Sequence, residues 1–346
     1  MSSADERILI AGPAWVGDMV MAQSLFKLLR EKSPGAVIDV VAPAWSEPIL
    51  DRMAEVHRTV TLPVGHGELK LAERYRVGRS LRAERYTRAI VMPRSLKAAL
   101  VPFFAAIPLR TGFRGEMRYG LLNDVRRLDK SRLDQTVKRF MALGLPPDAA
   151  LPYPPYPELA TDAGNRARFA AQLGGESTDV VALMPGAAYG PAKCWPLEYF
   201  GQLAAALAAD GTAVVVLGAK GEYEVGERIR AAGGDGVFNL CGETRLEETV
   251  DVLSMARAAV TNDSGLMHVA AAAGTHVVAI YGSSSPDFTP PLTDSKTIIS
   301  LGIECSPCFE RECPLGHLHC LRDISPDRVL ADVRSVPAPA PGPLSP

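Results

Sequence analysis

Six prolines fall within residues 146–157 (PPDAALPYPPYP), and they interrupt a chain that otherwise repeats one pattern. Proline has no backbone N–H to give to a helix or a sheet ladder, so the stretch resists both and reads as a linker. On either side of it, short apolar runs alternate with segments of helical periodicity. Upstream, residues 7–12, 36–43, 59–64 and 89–93 read as strands. Residues 17–33 read as a helix, with Met19, Ala22, Phe26 and Leu29 at helical spacing. Downstream, strands are expected at 180–184, 213–217, 237–240, 259–261 and 277–281, and helices at 197–209, 247–255 and 265–273. Parallel strands need a crossover, usually a helix, so this alternation predicts mostly parallel sheets covered on both faces. The expected fold class is α/β, with two doubly wound Rossmann-like domains facing a central cleft. They comprise residues 1–145 and 161–335, joined by a proline-rich linker at 146–160 and followed by a disordered tail at 336–346. At 346 residues the chain is too long for one hydrophobic core and long enough for two.

Charge narrows the partners. The net charge is −2, but residues 1–150 hold 24 Lys+Arg against 16 Asp+Glu, and the remainder holds 13 against 23. A basic first half suits an anionic partner. No basic-aromatic recognition motif accompanies it, so nucleic acid is not expected. The first residues lack the apolar run of a signal peptide, and no stretch reaches the ~20 apolar residues of a membrane span. The nearest, 98–109, is short and holds two prolines. A cytoplasmic protein is expected, with peripheral contact at most to the inner membrane surface.

In doubly wound sheets, ligands collect beyond the carboxyl ends of the strands, so the loops there carry the chemistry. Two common nucleotide fingerprints are absent. The run Gly12-Pro13-Ala14-Trp15-Val16-Gly17 has Ala where the dinucleotide motif has its second Gly, and Lys193 is followed by Cys194 instead of Ser or Thr. Asp18 opens the first helix. A charge at the positive helix end accounts for it structurally, and a general base facing the cleft is the rival reading. Lys193 lies in a loop of small residues (PGAAYGPAKCWP) and could hold a diphosphate as a point charge. From a loop, its loss is expected to leave stability unchanged. Asp263, Ser264 and Gly265 open a further helix whose free amides suit an anion, although the first two could equally be caps. His268 lies one turn in.

The runs VGDMVMAQSL, PGAAYGPAKCWP, TNDSGLMHVAAA and YGSSSPDFTPPL, with APAW, GHGEL and RTGFRGEMRYGLLNDVR, resemble in this order the type II branch of the lipopolysaccharide heptosyltransferase family, over residues 7 to 335. The resemblance implies a two-domain GT-B glycosyltransferase that inverts the anomeric centre, without a catalytic cofactor. It implies ADP-heptose as donor and the first heptose of heptosyl-Kdo2-lipid A as acceptor. By the same resemblance, Asp18 is the base, Lys193 holds the diphosphate, and Asp263, Ser264, Gly265 and His268 lie beside the donor. Glu222 would bind the ribose, and Thr244 would lie near the adenine. Arg94, Lys97, Arg110, Arg114 and Arg118 are the candidates for an acidic, phosphorylated acceptor. Type I or type III enzymes, with other acceptors, are the near alternatives. A non-catalytic nucleotide-sugar binding protein is the alternative from another class.

Four of the six cysteines form the run Cys305-x2-Cys308-x4-Cys313-x6-Cys320, with His317 and His319 beside them. Thiols at this spacing suit a structural zinc, and in a reducing compartment they also suit free or redox-labile thiols.

Overall fold

The computed structural model describes residues 6–65, 67–175 and 178–337. The expected tail therefore lies outside the described residues, apart from its first two positions. The chain divides into two compact units, Met1–Pro157 and Glu158–Pro346.

The first unit holds six strands: β1 (Arg7–Ala11), β2 (Val37–Pro43), β3 (Arg58–Leu62), β4 (Arg88–Val91), β5 (Leu109–Phe113) and β6 (Asp124–Arg126). They are parallel and ordered β3-β2-β1-β4-β5-β6. The second unit holds β7 (Val180–Met184), β8 (Ala213–Val216), β9 (Val237–Asn239), β10 (Ala258–Asn262), β11 (His276–Ile280) and β12 (Lys296–Ile299). These too are parallel, ordered β12-β11-β10-β7-β8-β9. Read from its opposite edge, this is the same order as the first sheet. Each sheet starts at its centre, winds out to one side, then returns and winds out to the other. That gives each unit one switch point, between β1 and β4 and between β7 and β10.

The central strands are the most apolar. Every residue of β7 (VVALM) and β10 (AAVTN) is buried, as strands covered on both faces must be. β5, β6 and β12 were not read from the sequence. β5 carries Arg110 and Gly112, β6 is three residues long, and β12 is mostly part-exposed. Strands towards a sheet edge lack the continuous apolar run that marks a central one.

Helices follow most strands, and their apolar faces close over the sheets. Helix Val16–Lys32 buries eleven residues, including Met19, Ala22, Leu25, Phe26 and Leu29. Its Ser24 hydroxyl donates to the Pro155 carbonyl at 2.7 Å, which fixes the proline-rich segment to the first unit. In the second unit, the Trp195 indole lies in the core edge-on to Phe200 and donates to the Ile324 carbonyl at 2.9 Å.

One polar knot joins the far side of the first sheet. The Asp39 carboxylate on β2 is fully buried. It accepts the Tyr86 hydroxyl at 2.5 Å, Arg58 at 3.0 Å and His57 Nδ1 at 2.8 Å. Replacing it with Ala leaves the buried Tyr86 hydroxyl without its acceptor, a loss of about 1–3 kcal/mol. Asp39→Ala is expected to lower the urea midpoint of the chain, and Asp39→Asn, which keeps an acceptor oxygen, to lower it less. Equal midpoints for Asp39→Ala and the native chain would show that the knot contributes nothing.

Candidate functional site

In the first unit, the loops after β1 and β4 meet at the switch point. They line a cavity of about 330 Å³ with Trp15, Asp18, Trp45, Glu68, Arg74 and Lys97 in its wall. Asp18 is the third residue of helix Val16–Lys32. It sits in the first turn, where unpaired N–H groups favour negative charge. The helix-end reading and the general-base reading are thus compatible: the same dipole that holds the carboxylate also presents it to the cavity.

Glu68, Arg74 and Trp45 lie in segments singled out in the sequence, GHGEL and APAW or their flank, but were not assigned to the site. Arg74 is buried, and its guanidinium donates to the carbonyls of Leu69 at 2.6 Å, Glu68 at 3.2 Å and Lys97 at 3.2 Å. It ties two walls of the cavity together. The signal missed was position: Arg74 stands one turn into a helix directly after GHGEL.

The five basic candidates separate. Lys97 lines the cavity. Arg94 and Arg114 are exposed, and Arg94 Nε donates to the Arg114 carbonyl at 3.3 Å. One expectation needs correction. Arg118 is buried, with its guanidinium spent on the carbonyls of Pro93 at 2.6 Å, Ser95 at 3.2 Å and Phe113 at 2.5 Å. Burial pushes its pKa down to about 10. Arg110 is committed likewise, to the carbonyls of Leu121 and Ile107. Arg118 thus shapes the loop from inside instead of offering charge at its surface, whereas Arg110 is half-buried.

In the second unit, the switch point brings together the loops after β7 and β10. Lys193 closes the short turn Pro191–Lys193. Its Nζ lies 2.5 Å from Asp263 Oδ2, and the carboxylate is 6% exposed. Thr289 donates to the other oxygen of Asp263 at 3.4 Å. Asn262 locks the two loops together, accepting the Trp195 N–H at 2.9 Å and donating to the Pro185 carbonyl at 2.7 Å. Ser264 occupies the N-cap position of helix Gly265–Ala272, but its side chain makes no capping hydrogen bond. The first amides of that helix are thus not used by a cap, and such amides attract anions.

His268 lies inside the same helix, and burial lowers its pKa to about 4, so it is neutral at pH 7. Its Nδ1 has no hydrogen-bond partner among the described residues. Glu222 accepts the Ala219 N–H at 2.7 Å and lies against the β7 loop. A Cβ on Gly186 would stand 1.7 Å from its Oε1, so a larger residue there would push the Glu222 carboxylate aside. The Thr244 hydroxyl pairs with that of Thr249 at 3.0 Å. Cys241 is buried and its thiol is pushed up to about 12, while burial also raises the Cys194 thiol, so neither is a thiolate nucleophile.

Cys305, Cys308, Cys313 and Cys320 carry free thiols and line one small cavity of about 20 Å³ with His317. Among the described residues, no three His, Cys, Asp or Glu side chains are already gathered into a coordination shell. No helix of the described residues is long and apolar enough to cross a membrane.

Residues 74–319 match the model of glycosyltransferase family 9 (heptosyltransferase). The chain is 46% identical over 341 residues to lipopolysaccharide heptosyltransferase 2 of Escherichia coli K12, covering 95% of this chain and 98% of that one. It is 45% identical, with the same coverage, to the Salmonella typhimurium protein of the same name. The solved structure of E. coli ADP-heptose LPS heptosyltransferase II superposes with a TM-score of 0.85 at 41% identity, over 96% of this chain and 98% of that one. The two six-stranded parallel sheets are those of the two-domain GT-B glycosyltransferase fold. With the family model spanning most of the chain and full-length relatives well above 30% identity, this protein is a glycosyltransferase and belongs to glycosyltransferase family 9, the heptosyltransferases.

Proposed function

We propose that the chain transfers L-glycero-D-manno-heptose from ADP-heptose to the first heptose of the lipopolysaccharide inner core, with inversion at the anomeric carbon. The observation that carries this reading is the end-to-end similarity to type II enzymes at 45–46% identity. The switch-point geometry supplies groups of the right chemistry for each half of the reaction.

In this reading, the Asp18 carboxylate takes the proton of the acceptor hydroxyl as that oxygen attacks the anomeric carbon. The bond from that carbon to the diphosphate oxygen breaks, and its electron pair leaves with ADP. Attack opposite the leaving group inverts the centre. Charge accumulates on the diphosphate, where Lys193 and the uncapped amides of helix Gly265–Ala272 are suited to meet it. Lys193 exchanges Asp263 for phosphate as the donor binds. Neutral His268 suits the same place because it adds no charge that would hold ADP after transfer. Glu222 is assigned to the ribose and Thr244 to the adenine end. Lys97 and the exposed Arg94 and Arg114 are assigned to the anionic acceptor. The transfer calls on no cofactor. Because the acceptor is a lipid and the donor a nucleotide sugar, the protein works at the cytoplasmic face of the inner membrane by peripheral contact.

Product analysis with ADP-heptose is expected to show transfer to heptosyl-Kdo2-lipid A and none to Kdo2-lipid A; the opposite preference would indicate a type I enzyme. With the preferred acceptor, Asp18→Asn is expected to lower kcat by roughly 10²–10⁴ while ADP still binds. Near-native kcat at saturating acceptor would remove Asp18 from the role of base.

Lys193→Ala is expected to lower kcat/KM for ADP-heptose by on the order of 10². The ion pair corrects the expectation that stability is untouched. Without Lys193 the buried Asp263 carboxylate loses its cation, so about 1–3 kcal/mol of stability should go as well. An unchanged kcat/KM would contradict the assignment, and an unchanged melting temperature would contradict the structural role of the pair.

We further propose that Cys305, Cys308, Cys313 and Cys320 hold a structural zinc. Four sulfurs face one cavity, and the nearby backbone N–H groups, that of Leu318 first, hold the Cys313 thiol below its ordinary pKa, an environment suited to a thiolate ligand. Binding would draw the thiols in from the cavity walls. Protein purified under reducing conditions should carry one zinc per chain by elemental analysis, and Cys308→Ser should lose it. Metal-free native protein with four thiols titratable by a disulfide reagent would contradict the site.

A further inference from the structure

The turn that carries Lys193 does not stand by itself. Residues 304–318, between β12 and helix His319–Arg322, form no regular helix or strand, and they lie against this turn along its length. The Ala192 N–H donates to the Arg311 carbonyl at 3.1 Å, and the Arg311 Nε donates back to the Tyr189 carbonyl at 2.7 Å. The Tyr189 hydroxyl donates to the Phe309 carbonyl at 2.7 Å. Ser283 completes the circuit: its N–H donates to the Ala192 carbonyl at 3.2 Å, and its carbonyl accepts the Phe309 N–H at 2.6 Å. The backbones meet so closely that a Cβ on Gly190 would lie 2.4 Å from the Arg311 carbonyl oxygen. The Tyr189 ring is shared by two cations, with Lys193 Nζ 5.1 Å from its centroid and the Arg311 guanidinium carbon 5.7 Å away.

We infer that Tyr189 and Arg311 are positioning residues for Lys193, and that the segment bearing Arg311 is the mechanical support of the donor lysine. The inference rests on the proposed role of Lys193 at the diphosphate. A lysine side chain has four rotatable bonds and much rotamer freedom to lose on binding. Here one end of its reach is set by Asp263 and the other by the face of Tyr189. The backbone beneath it is pinned by three hydrogen bonds to residues 283 and 311, and the Tyr189 hydroxyl adds a fourth bond, to Phe309. When the diphosphate arrives, Lys193 has only to exchange one anion for another while its ring contact and turn stay in place. Preorganisation of this kind lowers the ordering cost of binding. Phe309 and Arg311 lie between Cys308 and Cys313 in the sequence, so the support is bracketed by two of the four clustered thiols.

A double-mutant cycle on the full chain separates positioning from general packing. Arg311→Ala is expected to raise the Kd for ADP and the KM for ADP-heptose roughly 5- to 10-fold, the scale of one lost cation–π contact and its hydrogen bond. Tyr189→Phe keeps the ring and loses only the hydroxyl bond, and should raise them about 2- to 3-fold. In a Lys193→Ala background both substitutions should change ADP affinity less than 2-fold, because their effect passes through the lysine. Equal losses in both backgrounds would overturn the inference. Amide exchange across residues 187–194 gives a readout independent of ligand. It should quicken in Arg311→Ala, and unchanged exchange would overturn the support itself. If Lys193→Ala leaves ADP affinity intact, the assignment of Lys193 fails and the positioning role fails with it, even where the exchange result stands.

Discussion

Two parallel neighbours in a sheet cannot be joined by a tight turn; the chain must cross a face and re-enter at the same end. Everything distinctive about this protein follows from obeying that constraint twice. Each unit begins with its central strand and winds outward in both directions, so each sheet has one place where neighbouring loops leave in opposite directions. At that place the loops are not covered by a crossover helix. In the first unit the gap is the cavity beside Asp18; in the second it is filled by the Lys193–Asp263 pair. The same topological device thus presents a carboxylate in one unit and a cation in the other, the two kinds of group that the proposed transfer calls on.

What holds these loops is largely backbone carbonyls engaged by buried side chains. The buried Arg74 and Arg118 in the first unit and the buried Asn262 in the second do this, and the exposed Arg311 does the same from the surface; each joins segments distant in sequence. A guanidinium offers several donors in a fixed plane, which makes it an efficient staple for carbonyls that no strand or helix satisfies. This also explains how the first unit can be rich in arginine without all of that charge being available to a ligand.

The sequence was most informative where apolar periodicity is strong. The central strands β1, β2, β4, β7, β10 and β11 and the helices beginning at Val16, Leu197 and Gly265 were read within a residue or two, because burial on both faces makes these strands mostly apolar. β5, β6 and β12 were missed because outlying strands need no such run. Charged residues were legible by type but not by destination. An arginine bound for a ligand and one bound for a carbonyl look alike until the loop closes, as Arg118 demonstrates. The Lys193–Asp263 contact spans seventy positions and follows from strand order, which no local pattern reveals. The cooperation of Tyr189 with Arg311 is hidden for the same reason.

The buried partner of Lys193 also bears on what happens after transfer. The Asp263 carboxylate stands 2.5 Å from the lysine, so under the proposed function it competes with the diphosphate for the same cation. A site built only for tight grip would have left the lysine bare. With a resident competitor, part of the attraction to the incoming nucleotide is spent on separating the pair, and the same amount returns when the pair re-forms. The spent nucleotide would then be displaced from within by a group that never leaves the protein. Under the proposed function, weak retention of product would then be built into the binding site, and turnover would not wait for water to prise the diphosphate away.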